Sequence, residues 1–139
     1  MQPAIYLRQV HYQEMLHHVQ SCAPEEACGL VGGLQNYSQK IYPVTNQLHS
    51  PNRFYMEPEE LLKALENIDS QAWELMAVFH SHPTGIDYPS QTDLAEYTYP
   101  EALMLIWTTS AISGDHQAWE CKAYRVENDG FATIQIQIV

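Results

Sequence analysis

Apolar positions along the chain fall into short runs whose spacing predicts the elements. Ile5 to Leu7 can form a first short strand. Val10, Met15, Leu16 and Val19 recur at helical spacing around the segment His11 to Cys22, which Ala23-Pro24 closes. Ala27 to Leu34 (ACGLVGGL) has the composition of a buried strand that other backbone approaches closely. Asn36 to Ser38 offers a turn into a strand at Ile41 to Val44. A polar loop, Leu48 to Asn52, precedes a short strand expected at Arg53 to Met56. Pro58 suits the first turn of a helix whose buried face is marked by Leu61, Leu62, Leu65 and Ile68.

Leu75 to Phe79 (LMAVF) is a candidate central strand running directly into His80. Residues 83 to 89 (PTGIDYP) cannot be regular structure. Ser90 opens a helix of about two turns that Pro100 ends. Leu103 to Thr108 is another buried strand. The tail reads as a hairpin, with Cys121 to Val126, an Asn128-Asp129-Gly130 turn, and alternation from Ala132 to Val139. The order β-α-β-β-β-α-β-α-β-β-β predicts an α/β fold with a mixed sheet flanked by helices, all within one domain spanning 1–139.

Composition narrows the function classes. Apolar residues make up 45% and charged residues 17%, a globular balance. Six Lys+Arg stand against 17 Asp+Glu, a net charge of -11, with no basic cluster, so nucleic acid is not an expected partner. Cys22, Cys28 and Cys121 form no CxxC pair, which fits a reducing compartment. No apolar signal-peptide run opens the sequence and no stretch approaches the ~20 apolar residues of a membrane helix, so a cytoplasmic protein without a membrane partner is expected.

Candidate chemistry concentrates in HSHPTGIDYPSQTD, residues 80 to 93. In a strand His80 and His82 project to the same face, close enough to share one metal. Asp93 follows on the next helix, and two histidines with one carboxylate leave a tetrahedral zinc one open position, the catalytic arrangement. Blander readings stand beside this one. An HxH pair can simply end a strand, and Ser90-x-x-Asp93 has the form of a capping box. Cys28 reads as a small buried hydrophobe. Asp87 reads as a solvated turn residue, and His11, His17, His18, His49 and His116 as surface histidines, with His49 in a loop able to approach the site.

His80-Ser81-His82-Pro83, six residues, then Ser90-Gln91-Thr92-Asp93 resembles the HxHPx(6)SxxD signature of the JAMM (MPN-plus) zinc metalloproteases at every defined position. Pro24-Glu25-Glu26-Ala27-Cys28-Gly29-Leu30 is similar to the segment that carries the family's catalytic glutamate, and the alignment selects Glu26. Weaker similarity runs through Asn52-Arg53-Phe54 and Pro58. The resemblance implies a single MPN/JAMM-type domain of cytidine-deaminase-like architecture. It also implies one zinc per chain held by His80, His82 and Asp93, with Glu26 as proton acceptor and Ser90 as oxyanion donor.

The resemblance further implies hydrolysis of a peptide or isopeptide bond. The short chain, without a sizeable insertion, resembles the small prokaryotic members. Their implied substrate is a ubiquitin-fold or sulfur-carrier protein, cut at the end of a Gly-Gly tail. The oligomeric state is left open, a homodimer being one option. The alternative is a non-catalytic MPN scaffold, which characteristically lacks the metal ligands retained here. A zinc deaminase would need HxE and PCxxC, and neither occurs.

Overall fold

A strand buried on both faces organises the molecule. In the computed structural model, which describes residues 4–110, 118–128 and 130–139, this is β4 (Glu74–His82). The elements before it are β1 (Ala4–Leu7), α1 (Gln9–Cys22), β2 (Cys28–Leu34), β3 (Tyr37–Val44) and α2 (Pro58–Ser70). Those after it are α3 (Gln91–Glu96), β5 (Leu103–Ser110), β6 (Ala118–Glu127) and β7 (Gly130–Ile138). β4 runs antiparallel to β2 and parallel to β5. The expected mixed sheet is therefore present, in the order β1-β3-β2-β4-β5-β6-β7, and it curls until it closes. The seam is β1, parallel to β7 from Ala4↔Gln135 to Leu7↔Ile138 and touching β3 at Tyr6↔Tyr37.

Two apolar clusters hold the helices to the sheet. Met15 and Val19 of α1 pack with Val31, Phe79, Leu105 and Trp107. Ala64 and Ile68 of α2 pack with Leu30, Val44 and Val78. The β2 glycines allow β4 side chains to lie against β2 backbone: a Cβ on Gly33 would sit 2.7 Å from Met76 Sδ. The α2 start is capped by Glu57, whose carboxylate accepts from the amides of Glu59 and Glu60.

Several sequence expectations change. Arg53 to Met56 forms no strand, only the single bridge Asn46↔Met56. Its backbone groups are shared: Tyr55 O accepts from Gln47 N, while the Asn46 side chain accepts from Tyr55 N and donates to Arg53 O. The β2–β3 turn is Gln35-Asn36, both at positive φ, and β3 begins at Tyr37, four residues before its predicted start. The buried stripe of α2 runs through Ala64 and Ile68 while Leu62 is exposed, and on α1 Val10 is exposed. Helix α3 ends at Glu96 with Tyr97 extended, four residues short of Pro100. The β6–β7 hairpin is present, although its turn residue Asp129 lies outside the described residues. No helix among the described residues is long and apolar enough to cross a membrane.

An alanine at Gly29 would drive its methyl into the Phe79 ring and to 2.5 Å from the Tyr42 carbonyl oxygen. We expect Gly29→Ala to destabilise the fold by about 2–3 kcal/mol in urea unfolding. A loss below about 1 kcal/mol would mean that β2 and β4 part without strain.

Candidate metal centre

Strand parity brings the two histidines together. Val78, His80 and His82 alternate onto one face of β4, the α2 side. Their Nε2 atoms lie 3.0 Å apart, and both face Asp93 Oδ2, at 3.1 Å from His80 and 3.0 Å from His82. His82 Nδ1 lies 2.7 Å from the Ile86 carbonyl, so Nδ1 carries the hydrogen and Nε2 presents a lone pair in the neutral ring. His80 is 1% exposed and stacks on Phe54 at 4.7 Å, but its Nδ1 has no partner among the described residues.

Asp93 takes part in the capping box and also faces the two histidines. The capping box forms: Ser90 Oγ accepts from Asp93 N, and Asp93 Oδ2 accepts from Ser90 N, each at 2.9 Å. That same Oδ2 faces both imidazoles, so the cap aims the carboxylate at the histidines. Ser90 Oγ uses only its acceptor side in the cap, leaving its hydroxyl hydrogen free.

Glu26 reaches the same face through register. Cys28 pairs with His80 across β2 and β4. Ser81 extends the contact, its N donating to Ala27 O at 3.0 Å and its Oγ accepting from Ala27 N at 2.8 Å. The ladder ends at Cys28↔His80, and the Ala27–Ser81 contact beyond it leaves Glu26 near enough to His82 to feel its charge. Asn46 Nδ2 donates to the Glu26 carbonyl and holds its backbone. Glu26 is 4% exposed, and its Oε1 has no hydrogen-bond partner among the described residues. Sequence reasoning missed Ser81 and Asn46. A buried polar residue inside an apolar strand signals a partner for Ser81, whereas nothing local singles out Asn46.

The titration pattern follows from burial and these contacts. Burial pushes the Glu26 carboxyl up to about 8, His82 opposing and Asp93 adding. Burial would also raise Asp93, but hydrogen bonds to His80 and His82 outweigh it and hold the carboxyl well below the usual range. His80 is lowered because burial dominates its attraction to Asp93. For His82, burial is outweighed by Asp93 and the Ile86 carbonyl, and the imidazole is raised.

The donor set fits a tetrahedral dication. Bonds of about 2.0–2.1 Å to zinc put neighbouring ligand atoms about 3.3 Å apart. Here two imidazole nitrogens and a carboxylate oxygen stand 3.0–3.1 Å apart, near that spacing and close enough either to share hydrogens or to hold a cation. A cavity of about 410 Å³ opens onto His80 and Asp93, its walls including Phe54, Met56, Leu61, Leu65, Tyr97 and Tyr99.

The other polar candidates lie elsewhere. His49 pairs with Glu25 on the surface. His11 and His18 are not the surface histidines expected. Each is half-buried, His11 against Ser38 Oγ and His18 against the Cys28 carbonyl, because α1 lies on the sheet. His17 is exposed, and His116 lies outside the described residues. Cys28 is fully buried, its thiol pushed up to about 12 by burial. Asp87 is exposed and paired with Lys122.

A family model described as prokaryotic homologs of the JAB domain matches residues 8–122. Over 109 residues the chain is 35% identical to a protein of Pyrococcus furiosus named desampylase, covering 78% of this chain and 76% of that one. It is 26% identical over 127 residues to the CysO-cysteine peptidase of Mycobacterium bovis, covering 90% and 84%. A solution structure from Desulfitobacterium hafniense superposes with a TM-score of 0.83 at 31% identity, covering 97% of this chain and 92% of that one.

The buried Glu26 has a measurable cost. With its folded pKa near 8 against an ordinary 4.5, its contribution to stability is fully present below 4.5 and lost as pH rises through 8. In chelator-treated protein we expect Glu26→Gln to match the parent near pH 5. At pH 9 it should melt at least about 3 °C higher, roughly 1 kcal/mol. A difference that does not change between the two pH values would contradict this placement of the carboxyl.

Proposed function

The chain belongs to the family of prokaryotic homologues of the JAB domain and is a hydrolase, and from that premise we propose that it is a zinc metallopeptidase. Its proposed substrate is a ubiquitin-like or sulfur-carrier protein, cut at the peptide or isopeptide bond that follows a C-terminal Gly-Gly. We read residues 1–139 as one such domain, a reading supported by the family match over 8–122 and by the continuous sheet. The observation that carries the proposal is the meeting of His80, His82 and Asp93 on one point beside buried Glu26, whose Oε1 has no partner among the described residues. No observation favours the scaffold alternative.

His80, His82 and Asp93 would hold the zinc, with the capping box keeping Asp93 in place. When bound there, zinc supplies Lewis acidity, lowering the pKa of a bound water from 15.7 to about 7. Glu26, shielded from solvent, takes the proton of the attacking water and hands it to the leaving amine. Ser90 donates its free hydroxyl hydrogen to the developing oxyanion, a contact worth about 3 kcal/mol. The apolar cavity receives the chain that precedes the scissile bond. Glycines at the bond fit this site because His80 and His82 are 1% and 6% exposed, and only backbone without side chains can approach so closely.

Protein purified without chelator should contain about one zinc per chain by metal analysis. Glu26→Gln should lower turnover by about 10²–10⁴-fold while zinc content is kept. Asp93→Asn should lower zinc occupancy; unchanged occupancy would reduce Asp93 to a helix cap. Incubation with ubiquitin-fold proteins extended past Gly-Gly, read by mass spectrometry, should show release of the extension. An intact panel with zinc-loaded protein would contradict the substrate assignment.

A further inference from the structure

The two histidines of the centre are held by different means. His80 is enclosed, 1% exposed, and stacked on Phe54. His82 relies on one bond outside the cluster, from Nδ1 to the Ile86 carbonyl at 2.7 Å. Yet Ile86 stands in the 83–89 loop, where Ile86 is 40% exposed and Tyr88 46%. Pro83 and Pro89 at the ends of the loop are buried, but residues 84–88 between them are exposed and gain little from core packing.

The β6–β7 hairpin holds this stretch. Lys122 Nζ pairs with Asp87 Oδ2, and Tyr124 donates its hydroxyl to the Asp87 carbonyl, one residue beyond Ile86. Tyr88 stacks on Phe131 of β7 with centroids 6.1 Å apart, and Phe131 meets Tyr124 edge-on at 5.2 Å. The hairpin is registered to the ligand strand, because His80 pairs with Ile106 and Ile106 pairs with Lys122. Loop and ligand are thus tied to one frame.

We propose that Lys122 and Tyr124 are positioning residues for the metal centre, clasping Asp87 so that the Ile86 carbonyl fixes the ring orientation and tautomer of His82. The inference rests on the metallopeptidase reading above. With the clasp open, the loop can carry the carbonyl away, and His82 can turn or move its hydrogen to Nε2, the atom that faces Asp93. Loss of such an orienting partner weakens metal binding by about 10–100-fold.

The test compares the parent with Tyr124→Phe, Lys122→Met and the double variant. Zinc affinity is read by chelator competition and ligand geometry by the absorption spectrum of cobalt-substituted protein. Tyr124→Phe keeps the buried ring and removes one hydroxyl, and Lys122 lies on the surface, so the unfolding midpoint of the metal-free proteins should not move. The double variant should bind zinc about 10–100-fold more weakly and shift the cobalt bands, and Lys122→Arg should retain parental behaviour. Parent and double variant with equal zinc affinity and identical cobalt spectra would overturn the clasp and leave the metallopeptidase reading standing. A parent that binds neither metal would bring down both.

Discussion

Everything in this structure that bears on chemistry turns on three lone pairs facing one point. Two imidazole nitrogens and one carboxylate oxygen, 3.0–3.1 Å apart and nearly closed to solvent, repel one another unless hydrogens or a cation lie among them. A shared proton would relieve this in part, consistent with the raised His82. A dication relieves it fully, because it draws on all three donors at once. The buried Glu26 carboxyl adds to the demand, since its ionised form also needs nearby positive charge.

The fold meets that demand with parts that each have a local reason to exist. β4 alternates its side chains and so aligns the histidines with Val78 over α2, while Ser81, on the opposite face, stitches β4 to β2 at Ala27. The capping box that starts α3 also aims Asp93. The Asn46 side chain adds its hydrogen bonds to a single backbone bridge near 53–56, and so holds Glu26 and the loop bearing Phe54. A site assembled this way is rigid where core packing reaches it, at His80, and depends on peripheral contacts at His82.

Legibility in the sequence followed the range of the interaction. The histidine pair could be read from strand alternation, a two-residue effect, and the Ser90–Asp93 cap from a four-residue pattern. Cap and ligand readings do not exclude each other, since the oxygen that accepts from Ser90 N also faces His82. Glu26 could not be found locally, because what places it is the Cys28↔His80 register between strands about fifty residues apart. The family resemblance supplied it instead. Closure through β1 and β7 was beyond reach for the same reason. At 53–56 only one bridge forms because the Asn46 side chain takes Tyr55 N and Arg53 O, leaving backbone pairing to Tyr55 O and the Asn46↔Met56 bridge. Leu62 and Val10 failed because helical spacing gives the period of a stripe but not which neighbouring residues sit at its edge.

The central claim, that the three donors exist to hold zinc, is tested most directly by anomalous diffraction at the zinc edge from crystals of protein purified without chelator. The account predicts one peak per chain about 2.0–2.1 Å from His80 Nε2, His82 Nε2 and Asp93 Oδ2. A peak held by other residues, or none at this point while the three donors keep their 3.0–3.1 Å spacing, would contradict it.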